Sequence, residues 1–264
     1  MTFLGHKFRF QVVIGLTWLF AASFLANPSI VHAQLEQADS GERYRSCLEN
    51  AYQRPEDTFE MATGWIGEGG AEHARHCAAI ALIELGHYGV AAQRLEDLVK
   101  DLPEEKLDFQ STLLAQAGQS WLLAGDLDRA YRAQTAALQG DPTSVQILTD
   151  RGITLASAGH YGEAVDDFTQ AILKAPGNSE IFVYRASAYR YLGEEGLAAA
   201  DLETALANDP ENPDALLERG ILRRLSGDEA GAREDWVRAA VMGEGTPTGE
   251  LAQRNIEKLD LNLD

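Results

Sequence analysis

The chain has 264 residues, with 41 acidic against 22 basic side chains and a formal net charge of −19. An acidic excess of this size argues against nucleic acid or an anionic membrane surface as the main partner. It leaves two uses open, a basic partner or plain solubility of a charged outer face.

The N-terminus has the layout of a secretory signal peptide over residues 1–33. Lys7 and Arg9 precede an apolar run from Val12 to Ala26, and Val31-His32-Ala33 places small residues ahead of Gln34, the expected first mature residue. The run is about 15 residues, short of the roughly 20 needed to cross a bilayer, so cleavage is expected rather than an uncleaved anchor. No second apolar stretch of that length occurs later, and no integral span is expected in the mature chain. Cleavage would remove two basic and no acidic residues, leaving the mature protein more acidic still.

Residues 34–41 are polar and read as a short flexible leader. From Glu42 to Gln53, Tyr44, Cys47, Leu48, Ala51 and Tyr52 recur at helical spacing, and Pro55 opens a second helix carrying Phe59, Ala62 and Trp65 inward. Together residues 42–71 predict an N-terminal helical cap pair. Cys47 and Cys77 form an even pair, and in an exported protein a disulfide is favoured over two buried thiols.

Beyond Gly70 one pattern repeats with a period of 34 residues. A small residue at the eighth position (Ala79, Gly118, Gly152, Ala186, Gly220) is followed by alanine at the twentieth (Ala91, Ala130, Ala164, Ala198, Ala232). Small side chains there let the two helices of a hairpin approach closely, and alanine at the twenty-seventh in four of five units lets the next hairpin dock. Glycine marks each turn, at Gly86, Gly125, Gly159, Gly193 and Gly227, where a helix C-cap needs positive φ. Asp141-Pro142 and Asp209-Pro210 end second helices, because the residue before proline is biased out of the helical region. The units are 72–105, 111–144, 145–178, 179–212 and 213–246, with residues 106–110 inserted after the first and expected to open that joint. Residues 247–264 predict a C-terminal capping helix and tail, with Leu251, Ile256 and Leu259 facing in.

This order of small, apolar and closing proline residues resembles the tetratricopeptide repeat (TPR) over residues 72–246. The resemblance implies an all-α fold: a right-handed superhelical solenoid of antiparallel helix pairs, about five repeats with helical caps. It also implies a non-enzymatic scaffold that binds a peptide or helix of a protein partner in its concave groove. With the signal peptide, the expected location is an exported, periplasmic one.

Carried over position by position, the resemblance assigns to the groove His73 and His76, Gln119, Gln146 and Thr149, Glu180, Arg190 and Tyr191, and Asp214 and Arg224. Asp150 and Tyr184, at the neighbouring sixth position, are expected at its rim. Tyr184, Arg190 and Tyr191 stand out, because tyrosine and arginine are enriched at binding hot spots. The fifth positions, His76, Ala115, Thr149, Val183 and Leu217, carry no lysine, so the chain departs from the subfamily that clamps acidic chaperone tails.

No phosphate loop, nucleophile elbow or H-E-x-x-H helix is present, and no cofactor, metal or catalytic residue is expected. His73 and His76 beside Cys77 are the one cluster that could begin a metal site, and a metal-dependent or enzymatic envelope protein is the first alternative. A self-associating structural solenoid is the second.

Overall fold

The structure is a computed structural model; it describes the backbone of Pro28–Leu261 and the side chains from Gly41 onward. Residues 1–27, most of the 1–33 segment expected to be a signal peptide, therefore lie outside the described residues. The chain divides into two units at residue 42. Of the first, only the start of a helix is described; the second, Arg43–Asp264, holds the repeats.

Among the described residues the fold is entirely helical, with no strand. The helices are α1 (Pro28–Gln53), α2 (Pro55–Gly67), α3 (Ala71–Glu84), α4 (Tyr88–Asp101), α5 (Leu107–Leu123), α6 (Leu127–Gly140) and α7 (Val145–Ser157). They continue as α8 (Tyr161–Lys174), α9 (Ser179–Tyr191), α10 (Glu195–Asn208), α11 (Pro213–Leu225), α12 (Glu229–Met242) and α13 (Pro247–Asp260). From α2 onward each helix packs chiefly on its chain neighbours, as a stack of hairpins must.

The punctuation is local and repeats. Ser144, Asn178, Asn212 and Thr246, spaced 34 apart, cap α7, α9, α11 and α13 by accepting a backbone N–H of the first turn. The turn glycines all adopt positive φ, between 76° and 85° in the five repeats.

Packing inside each hairpin follows a size rule. The eighth residue of the unit, on its first helix, faces the twenty-fourth, sixteen residues on. Glycine stands opposite the long Gln134 and the aromatic Phe168 and Trp236, whereas alanine stands opposite Leu95 and Leu202. A Cβ on Gly152 would lie 2.5 Å from the Phe168 ring, and one on Gly118 the same distance from Gln134. The pair together sets the helix–helix distance. Neither residue does so alone.

A second contact of equal spacing sits one residue earlier. Arg151, Arg185 and Arg219 each grip a buried aspartate of their own hairpin, Asp167, Asp201 and Asp235, through two parallel hydrogen bonds of 2.7–2.9 Å. The remaining guanidinium nitrogen reaches back to Thr135, Thr169 or Glu203 of the preceding repeat. One side chain thus fixes both the hairpin and the joint. Charge-assisted, bidentate pairing of this kind is specific in geometry as well as strong.

Several expectations need correction. Residues 34–41 lie within α1, because Gln, Leu, Glu and Ala there are helix formers and Gly41 alone does not stop the helix. The insertion at 106–110 does not open its joint. It lengthens α5 to 17 residues against 13 in α7, α9 and α11, after a 3₁₀ turn at Glu104–Lys106. Leu95, Leu98 and Leu113 then close the joint with Trp121 in one apolar cluster. In α13, Ala252 and Ile256 are buried and Leu259 is half-buried, but Leu251 is exposed. Leu217, its equivalent one repeat earlier, is buried; no further described helix covers Leu251.

At the N-terminal end a disulfide joins Cys47 of α1 to Cys77 of α3, with Cα atoms 6.1 Å apart. Trp65, Ala62 and Ala74 pack around it. Closing a 30-residue separation adds roughly 3–4 kcal/mol in the chain-entropy model.

The size rule predicts non-additive mutants. Gly152→Ala gains up to about 1 kcal/mol of helix propensity but meets an overpacking penalty of about 1–3 kcal/mol, so it is expected to destabilise. Adding Phe168→Leu, which recreates the Ala186–Leu202 pairing, should recover about 1 kcal/mol or more relative to the sum of the single changes. Urea unfolding of the four proteins measures this, and additivity would refute the rule.

Candidate functional site

The first helices of the middle repeats set their second and sixth positions side by side. On α7 these are Gln146 and Asp150, on α9 Glu180 and Tyr184, and on α11 Asp214 and Glu218. Asp150 is buried yet has no basic partner among the described residues; Gln146 donates to both its oxygens at 3.0 Å. Burial raises its pKa, and the Gln146 hydrogen bond opposes the shift. Tyr184 is 38 % exposed, and its phenol is pushed up by burial and then by Glu180, Asp214 and Asp150. Those four side chains therefore share one electrostatic neighbourhood. Asp214 also accepts from the Thr248 hydroxyl at 2.6 Å.

Beside them lies a cleft of about 330 Å³ between α7, α8 and α9, walled by Ile153, Ala156, Tyr161, Phe168, Tyr184 and Tyr191. Its aromatics hold one another. Tyr184 stacks on Phe168 with centroids 5.8 Å apart, and Tyr191 lies parallel to Tyr161 at 4.6 Å. The Arg190 guanidinium sits 4.4 Å from the Tyr191 centroid and bonds Glu218 of the next repeat at 2.9 and 3.3 Å. Tyr191 is thus in contact with both the Tyr161 ring and the Arg190 guanidinium. Arg190 is therefore engaged within the fold, holding Tyr191 and the α9–α11 joint.

His73 and His76 belong to a different place, at the N-terminal end. His76 is buried, its Nδ1 bonded to the Tyr44 hydroxyl at 2.5 Å and its Nε2 to Gln116 Oε1 at 2.7 Å. His73 stacks on Tyr44 at 4.4 Å, and Phe109 closes the other edge of His76. With both nitrogens in use and Cys77 in a disulfide, the metal reading of this cluster loses two of its three ligands. No group of three or more metal-ligating side chains forms among the described residues.

The other assigned positions do not gather into one place. Gln119 is exposed on α5, Thr149 is half-buried on α7 with its hydroxyl enclosed, and Arg224 is half-buried on α11. Val183 and Leu217, at fifth positions, are buried in the core. Tyr161 and Phe168 were not anticipated, because they belong to a second helix. A signal existed: Gly-His-Tyr-Gly occurs twice, at residues 86–89 and 159–162, and starts a second helix each time.

Comparison with known proteins places residues 185–250 in the tetratricopeptide repeat family model. No curated protein matches the chain in sequence. Among solved structures, MamA (residues 41 to the end) from Desulfovibrio magneticus RS-1 superposes with a TM-score of 0.58 at 18% identity, covering 65% of this chain and 94% of that one. A monomeric mutant of IFIT1 with Gppp-AAAA gives 0.62 at 16% identity, over 72% of this chain and 46% of that one. MamA AMB-1 gives 0.52 at 20% identity, over 69% and 96%. At these identities the likeness is one of fold.

The buried histidine predicts an acid-sensitive N-terminal end. Burial lowers the pKa of His76 below 6.5, the Gln116 hydrogen bond opposes this, and His73 adds to it. An unfolded chain takes up a proton as pH falls through 6.5 and the folded chain resists it. Stability from this group is therefore full above that pH and declines below it. The urea midpoint should fall between about pH 7.5 and 5.5 in wild type, and fall less in His76→Gln. Equal slopes would remove His76 as the cause.

Proposed function

On a fold of stacked helical hairpins whose residues 185–250 match the tetratricopeptide repeat model, we propose that this chain is a non-enzymatic scaffold that holds a segment of a partner protein. The contact surface is the inner face of the first helices, from Asp150 to Glu218, with the tyrosine cleft beside it. The observation that carries this reading is the cluster in which Tyr191 stacks on Tyr161 and contacts the Arg190 guanidinium, itself anchored by Glu218. Tyr191 remains 58 % exposed while stacked on Tyr161 and contacted by Arg190. An exposed aromatic already fixed in one rotamer loses little entropy on binding, which makes it an inexpensive contact.

The same reading places the protein outside the cytoplasm, in a bacterial-type envelope. The signal-peptide pattern and the Cys47–Cys77 disulfide support export, since such bonds persist where the surroundings are oxidising. No described helix is long and apolar enough to cross a membrane. The excess of carboxylates argues against nucleic acid as the ligand.

Site-specific photocrosslinking in the source cells tests the assignment. A photoreactive residue replacing Tyr184 should give a discrete protein adduct, and one replacing Thr204, exposed on α10, should give none. An adduct from position 204 alone would move the contact to the second helices, and adducts from neither would contradict the scaffold reading.

A further inference from the structure

We propose that the tyrosine cleft takes a lysine or arginine side chain, so that the partner segment is cationic. This rests on the scaffold reading and adds the chemistry of what is bound.

Size comes first. At about 330 Å³ the cleft is at the small end of ligand pockets. It suits one long side chain better than a cofactor. Its lining mixes apolar Ile153, Ala156 and Phe168 with the hydroxyl-bearing Tyr161, Tyr184 and Tyr191. An aliphatic stem with a polar head matches that mixed lining, as lysine and arginine do when they lay their methylenes on apolar surface and keep the charge outside.

Charge decides the sign of the head. The second and sixth positions of α7, α9 and α11 hold four carboxylates, Asp150, Glu180, Asp214 and Glu218, beside one glutamine and Tyr184. Arg190 neutralises Glu218. Arg151 and Arg185, also on α7 and α9, are committed to Asp167 and Asp201. Asp150, Glu180 and Asp214 have no ion pair among the described residues. Asp150 is the most telling of the three: only 8% exposed, it is a buried carboxylate whose sole hydrogen-bond donor is a neutral amide. Buried charges are ordinarily paired, and a cation from a partner would complete this one. An acidic or neutral segment would leave all three carboxylates facing like charge or nothing.

The test uses the full mature chain and two acetylated, amidated peptides, one alternating lysine with serine and the other alternating glutamate with serine. Fluorescence anisotropy at moderate salt should show binding of the lysine peptide only. Glu180→Gln with Asp214→Asn should weaken it about tenfold. The control pair Asp166→Asn with Glu234→Gln makes the same charge change on exposed positions of α8 and α12, and should leave affinity within about twofold. Tyr184→Phe, which keeps the ring and drops the hydroxyl, checks the cleft without disturbing the fold. Equal loss in both charge pairs would mean general attraction to an acidic protein and would overturn the proposal, as would binding of the glutamate peptide or of neither. Should these fail while the Tyr184 adduct forms, the scaffold reading stands and only the cationic chemistry falls.

Discussion

The structure depends on two contacts that recur at the same spacing: an arginine–aspartate fork and, one residue on, a small residue facing a large one. Both join the first helix of a hairpin to its second across sixteen residues. The fork adds a third bond to the preceding repeat, so hairpin geometry and stacking are set by one side chain. A solenoid has no long-range core to enforce its shape; local contacts repeated with a fixed period must do so. In the three repeats that carry the fork, the aspartates are almost fully buried. Asp167 and Asp201 would be severe liabilities without their arginines, whereas Asp235 is paired by Arg223 as well.

That regularity is what produces the inner face. With α7, α9 and α11 held in register, residues 34 apart fall into columns. A carboxylate at one position then gains a carboxylate, an amide or a tyrosine beside it. The columns are uniform enough to align, and varied enough to make one cleft. The variation concentrates where Tyr161 and Tyr191 meet, and there the Arg190–Glu218 pair fixes the aromatic surface from the next repeat. The acidity of the chain, which by composition alone could be mere solubility, acquires a local meaning at Asp150, Glu180 and Asp214.

The helix pairs were legible in the sequence because small residues recur with a strict period, and sterics permit few alternatives at a helix crossing. The size rule was half legible: the glycine and alanine positions declare themselves, but their partners read as ordinary core. The fork was present as arginine at 151, 185 and 219 and aspartate at 167, 201 and 235, yet charged residues invite a reading as solvated surface. The engagement of Arg190 was not legible for a related reason. It pairs with Glu218 of the next repeat, and no single-helix pattern reveals which arginine is already taken. Leu251 matched the apolar rhythm and still faces out, since periodicity names a face without saying whether anything covers it. The histidines suggested a metal because Cys77 is their neighbour, whereas Tyr44 and Gln116, distant in sequence, claim the nitrogens of His76.

The most direct test of the fork's role is a double-mutant cycle, Arg185→Met and Asp201→Leu, read by thermal and urea unfolding. Removing either partner alone should destabilise by roughly 3–5 kcal/mol, because it leaves a buried charge or an emptied joint, while the double change should come close to wild type. Single variants within about 0.5 kcal/mol of wild type would show that the forks decorate the hairpins without holding them, and the stack would need another cause.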